Sequence, residues 1–167
     1  MKLSIKLIAL TLVFGLIGCE KQKDKIDVET YINQLKSGSY ESFELPAFES
    51  YQIPVLLEYA NDTTIITNFP RNLISSLWAP ECRLGMYVLW TVESIRAVEI
   101  KTEHLIGRFP SQNPILALRN STEIKLVNDK LSQIEAAKAY HDWWYTNIWQ
   151  DVTLTIDPLE NTKYKWH

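Results

Sequence analysis

Residues 84–98 read Leu-Gly-Met-Tyr-Val-Leu-Trp-Thr-Val-Glu-Ser-Ile-Arg-Ala-Val, and their pattern decides what fold to expect. Ten of these fifteen residues are apolar. On a helix they fall all round the cylinder, the mark of a helix packed on several sides. With Pro80 suited to a first helical turn, the pattern predicts a central helix from about residue 80 to 99. Glu93, Arg96 and Glu99, spaced by three, can pair along one edge of it.

On either side the helical signals continue. Asp27 precedes Val28, Tyr31, Ile32 and Leu35, an N-cap followed by apolar residues at offsets of three, four and seven, and Lys36 and Gly38 close that short amphipathic helix. Pro54 opens a brief helix that ends at Asn61-Asp62. A long last helix is expected to start between Asn120 and Asp129 and to run to about Trp149, with Val127, Ile134, His141, Ile148, Ala137, Trp144 and Tyr145 facing the core. Strand signals are weak. Residues 63–67 are β-prone but short, and Val152, Leu154 and Ile156 alternate with polar residues up to Pro158, so these two runs could form one β pair. Residues 101–120 read as a loop or broken helix, and the tail after Pro158 as polar except Tyr164 and Trp166. The expected fold is therefore mainly α: a compact, irregular helical domain with a central apolar helix, a long C-terminal helix and at most a short two-stranded β pair.

The start of the chain speaks of destination. Lys2 and Lys6 precede an apolar run, and Leu16-Ile17-Gly18-Cys19 follows, so residues 1–18 have the layout of a secretory signal too short to span a bilayer. The four residues up to Cys19 resemble the lipobox of bacterial lipoproteins, whose cysteine is acylated on sulfur and becomes the mature N-terminus. On that basis Cys19 is the expected lipidation site, residues 19–26 a polar flexible tether, and residues 27–167 one mainly helical domain. Loss of residues 1–18 would remove Lys2 and Lys6 and no acid, leaving 15 basic against 20 acidic side chains, a net charge of −5. That balance argues against nucleic acid as a partner, because phosphate binding needs a basic face. With Cys19 acylated, Cys82 is the remaining cysteine, so no disulfide staples the fold and a large aromatic core must hold it.

Chemistry-bearing clusters are thin. Cys82 with His104 or His141 and Asp142 supplies the ingredients of a thiol nucleophile, a base and an orienting acid, but no local signature surrounds the cysteine. Glu99, Glu103 and His104, or His141 and Asp142, match no metal-ligand spacing, so neither a metal nor any other cofactor is expected. Flat rings beside amides and carboxylates are what a sugar-binding surface needs, and Tyr140, Trp143, Trp144, Tyr145 and Trp149 with Asp142, Asn147 and Gln150 provide them. Trp143 and Trp149 are the candidate ligand-binding residues. Plain helix packing would use the same side chains.

Four stretches carry a resemblance: Ile-Pro-Val-Leu-Leu-Glu-Tyr-Ala-Asn-Asp at 53–62, Phe-Pro-Arg-Asn at 69–72, Cys-Arg-Leu-Gly-Met-Tyr-Val-Leu-Trp at 82–90 and Arg-Phe-Pro-Ser-Gln-Asn-Pro at 108–114. Through them the chain resembles an uncharacterised family of small bacterial lipoproteins. The resemblance brings no activity with it. It implies a lipid-anchored protein of the outer membrane or periplasm. The function expected is a non-enzymatic binding or accessory module of the cell envelope, held to the membrane by its N-terminal acyl chains and meeting a protein or glycan partner. A small thiol or acid-base hydrolase and a purely structural envelope protein are the alternatives.

Overall fold

The computed structural model describes residues 26–77, 79–102, 106–150 and 153–167. In chain order these form α1 (Val28–Ser37), α2 (Ile53–Leu57), β1 (Ile65–Ile66), β2 (Cys82–Arg83), α3 (Leu84–Glu99), β3 (Leu116–Leu118), β4 (Leu126–Val127), α4 (Lys130–Asn147) and β5 (Tyr164–Trp166). The mainly α expectation is overturned. Among the described residues the four helices are accompanied by two small antiparallel sheets of two and three strands, so the fold is mixed α/β.

The helices form where the sequence placed them, for the reasons expected. Asp27 accepts a hydrogen bond from the Thr30 backbone N–H at 2.8 Å, Gly38 ends α1 with φ +71°, and Val28, Tyr31, Ile32 and Leu35 are all buried. In α3 every residue from Leu84 to Ala97 is buried. This helix starts later than Pro80 implied, because Cys82 and Arg83 pair with Ile66 and Ile65 in the two-stranded sheet. Gly85 sits where α2, α3 and α4 converge. A Cβ there would collide with the Ala60 carbonyl and with the Gln133 side chain, which donates to Ala60 O and Asp62 O at 3.1 and 3.0 Å.

The last helix is capped by Asp129 through a reciprocal capping box with Ser132, but the face it buries differs from the expected one. Ser132, Gln133, Ala136, Ala137, Tyr140, Trp143 and Trp144 face inward, whereas Ile134, His141, Tyr145 and Ile148 are exposed. The physical reason is Gln133: its amide closes two buried carbonyls, and that bond turns the helix about one residue away from the isoleucine stripe.

The largest departure lies in the three-stranded sheet, ordered β4-β3-β5. Its central strand β3 falls in the expected loop, and β5 in the expected polar tail; Leu116 pairs with Trp166 and Leu118 with Tyr164. The alternating residues after Asp151 form no strand among the described residues. Thr153–Thr155 is a 3₁₀ turn, whose neighbouring carbonyls Leu154 O and Ile156 O accept from Arg96 Nη1 at 3.0 and 3.4 Å. A guanidinium thus takes the acceptors a sheet partner would need. Arg96 is itself locked in a buried knot, with Nε and Nη2 on the Glu93 carboxylate at 2.8 to 3.1 Å, Tyr140 Oη donating to Glu93 Oε2 at 2.8 Å, and Trp166 Nε1 donating to Tyr140 Oη at 2.8 Å. The knot ties α3, α4 and β5 together.

Candidate ligand-binding cleft

Between α1 and α2 the chain runs without regular structure up to a 3₁₀ turn at Ser50–Gln52, and aromatic packing fixes its course. Tyr31, buried on α1, meets Tyr40 edge-on with ring centroids 5.1 Å apart and Phe48 edge-on at 5.4 Å. Tyr40 Oη donates to Glu44 O at 2.9 Å, which folds the segment back on itself. Leu45 N–H then donates to Gly107 O at 3.0 Å and fastens this segment to the loop after α3. The two strips enclose a cleft of about 670 Å³, within the range of small-molecule sites. Tyr40, Leu45, Pro46 and Phe48 supply apolar surface, while Asp27, Glu44, Gln52 and Arg108 supply polar groups. Tyr51 stands at the cleft 66% exposed.

Arg108 is the unusual member. Both Gly107 and Arg108 have φ of +64°, a left-handed conformation that is free for glycine and costs an ordinary residue roughly 1–2 kcal/mol. The backbone is held there because Ser94 Oγ, on α3, donates to Arg108 O and Leu45 N–H donates to Gly107 O. The Arg108 Nε is buried without a hydrogen-bond partner. Burial pushes the Arg108 pKa down, and the charge of Glu44 only partly offsets this. A strained, half-buried and under-bonded cation at the wall of an aromatic cleft is an arrangement that functional sites build.

The residues singled out from sequence are not brought together. Trp143 is 5% exposed, packed edge-on against Tyr140 at 5.9 Å and tilted against Trp144 at 5.6 Å, whereas Trp149 is 92% exposed. One ring belongs to the interior and the other to the surface, so they form no shared platform. Cys82 is buried on β2, its thiol directed to the carbonyls of Arg83 and Pro114, and burial pushes its pKa up to about 12. His141 lies on the exposed face of α4 beside Tyr145, and Asp142 pairs with Lys138; both line a hollow of about 250 Å³ away from the buried thiol. Cys19, Glu103 and His104 lie outside the described residues. Among the described residues, no three His, Cys, Asp or Glu side chains are grouped to hold a metal, and no helix is long and apolar enough to cross a membrane.

Sequence reasoning missed Tyr40, Tyr51 and Arg108. The faint signal was Gly107 directly before an arginine in a loop, but nothing in composition says that Arg108 shares its neighbour's handedness. A protein-family model described as a domain of unknown function (DUF4943) matches residues 22–167. No curated protein and no solved structure matches the chain.

Proposed function

The chain belongs to the DUF4943 family, whose description carries no activity, and from that premise we propose a lipid-anchored protein of the bacterial cell envelope that captures a ligand in the Tyr40–Arg108 cleft without transforming it. The observation that carries the proposal is the half-buried Arg108 with its unpartnered Nε in a cleft lined by aromatic rings. Anchoring is supported by the lipobox-like residues at 16–19 and the polar stretch that follows. Two or three acyl chains, each buried methylene contributing about 0.8 kcal/mol, hold such a protein durably at a bilayer. The ligand comes from the envelope within reach of the tether, free or as part of a protein or glycan partner. A thiolate mechanism finds no support, because Cys82 is walled into the core and keeps its proton at neutral pH.

The test has two arms. Mass spectrometry of the native product should find residues 1–18 removed and acyl mass on Cys19, and Cys19→Ser should release the protein from membranes; an intact leader or an unmodified Cys19 overturns the anchor. Glycan and peptide arrays probed with the full chain should give hits that weaken on Arg108→Gln. Hits unmoved both by that change and by Tyr51→Ala overturn the cleft as the binding site.

A further inference from the structure

Resting on that binding role, we infer that the cleft takes a monocarboxylate with an apolar body, its carboxylate paired with Arg108 and its hydrocarbon laid against Leu45, Phe48 and Tyr51. The first reason is the donor. A guanidinium offers a planar fork that fits a carboxylate through two parallel hydrogen bonds, and this one has a buried N–H with no acceptor inside the protein. The second is the surroundings of the cation. Asp27 lies in the same lining, and the Thr30 amide and hydroxyl hold its carboxyl below the usual range, keeping it charged, so a further negative charge on the ligand would face an acid. A phosphate monoester, inorganic sulfate or a polyanionic sugar would bring about two or more charges to a site able to neutralise one. A single carboxylate balances Arg108.

The third reason is the wall. Leu45 and Phe48 are buried members of the protein core that also line the cleft, so a ligand touching them extends the core outward, with the exposed Tyr51 ring beside it. Hydrocarbon gains from such a wall through each methylene it withdraws from water. A hydroxyl-rich sugar ring would have to leave hydroxyls against it unpaired.

Octanoate, octanamide and octyl phosphate serve as probes that share the hydrocarbon and differ in the head. The full chain, held in phospholipid nanodiscs with empty nanodiscs as the blank, is titrated with each by calorimetry, and octanoate labelled with ¹³C at its carboxyl is followed by NMR across pH. Octanoate should bind at least tenfold more tightly than octanamide or octyl phosphate, and its bound carboxyl should titrate below the free acid. Arg108→Gln should weaken octanoate about tenfold or more while leaving octanamide unchanged, and Arg108→Lys should recover part of the loss. Equal binding of octanoate and octanamide overturns the inference, as does preference for octyl phosphate or a bound carboxyl that titrates like the free one. Should arrays show a neutral glycan or peptide that depends on Tyr51 but not on Arg108, the monocarboxylate falls and the capture role survives. Silence towards every probe and every array overturns both.

Discussion

The knot around Arg96 and the cleft beside Arg108 put the same side chain to opposite uses. Arg96 is 8% exposed and spends its donors on the Glu93 carboxylate and two carbonyls, while Arg108 is half-buried with a donor left over. In the first, Glu93 counters the cost of burial and the Arg96 pKa is raised; in the second, burial is the larger influence and the pKa is lowered. A satisfied buried network fixes how helices and strands meet. An unsatisfied one costs stability; Gln133 Oε1 and Trp144 Nε1 also lack partners, but of the three groups only Arg108 lines the cleft, which is why the cleft and not the knot is the place to look for a ligand.

The sharpest way to break the comparison is to cut the knot. Arg96→Met leaves the Glu93 carboxylate buried with Tyr140 as its remaining donor, and removing one partner of a buried ion pair costs about 3–5 kcal/mol. Urea unfolding should show that loss, and Glu93→Leu combined with Arg96→Met should win part of it back. A loss below about 1 kcal/mol would mean that water reaches the knot and that the two arginines do not differ as described. Tyr140→Phe should follow at about 1–3 kcal/mol, because it removes the acceptor of Trp166 Nε1 and one donor to Glu93 together. Amide exchange in β5 should quicken with it; unchanged protection there would detach Trp166 from the network.

The burial that makes the knot costly to cut also disarms Cys82. Its thiol is raised from 9.0 in the unfolded chain to about 12, so the stability it contributes is intact below about pH 9 and drains away as pH rises towards 12, because the unfolded form gives up its proton first. The effect should be on the order of 1 kcal/mol by about pH 10. Buried Tyr31, Tyr87 and Tyr140, raised in the same way by desolvation, add their own slope above their usual range, so the comparison is between parent and Cys82→Ala across pH 8 to 10. Parallel curves for the two would place the thiol in water, and rapid alkylation of the native protein at neutral pH would do the same.

What was legible in the sequence follows from how local each cause is. The caps of α1 at Asp27 and Gly38 and the all-round apolar surface of α3 are written within a few turns of chain, and both appear in the structure. The strands are two or three residues long, too short for alternation to show, and β3 joins β5 across an intervening helix, so their pairing is a property of the assembled core. Val152 lies outside the described residues, and alternation in Leu154 and Ile156 misled because Arg96, far away in the chain, claims the carbonyls there. The inward face of α4 was misjudged for a similar reason: Gln133 is drawn to the carbonyls of Ala60 and Asp62, and a buried amide outweighs an exposed isoleucine. The cleft was invisible because what marks it is a backbone handedness and a missing partner, neither of which has a residue code.

The smallest expected change has the opposite sign, and it bears most directly on the contrast. Arg108→Asn places at φ +64° a residue that tolerates the left-handed conformation, and it removes a buried N–H that nothing accepts. Arg96 variants should lose stability, whereas this one should keep it or gain up to about 1 kcal/mol, because strain and desolvation are relieved and no internal bond is given up. Thermal and urea unfolding of the variant beside the parent measure the sign. If Arg108→Asn destabilises the protein by more than about 1 kcal/mol, the side chain is packing the fold, and its missing partner lies within the chain and not in a ligand. If stability holds while octanoate binding is lost, the strain at Arg108 is maintained for recognition, since folding alone would have favoured the substitution.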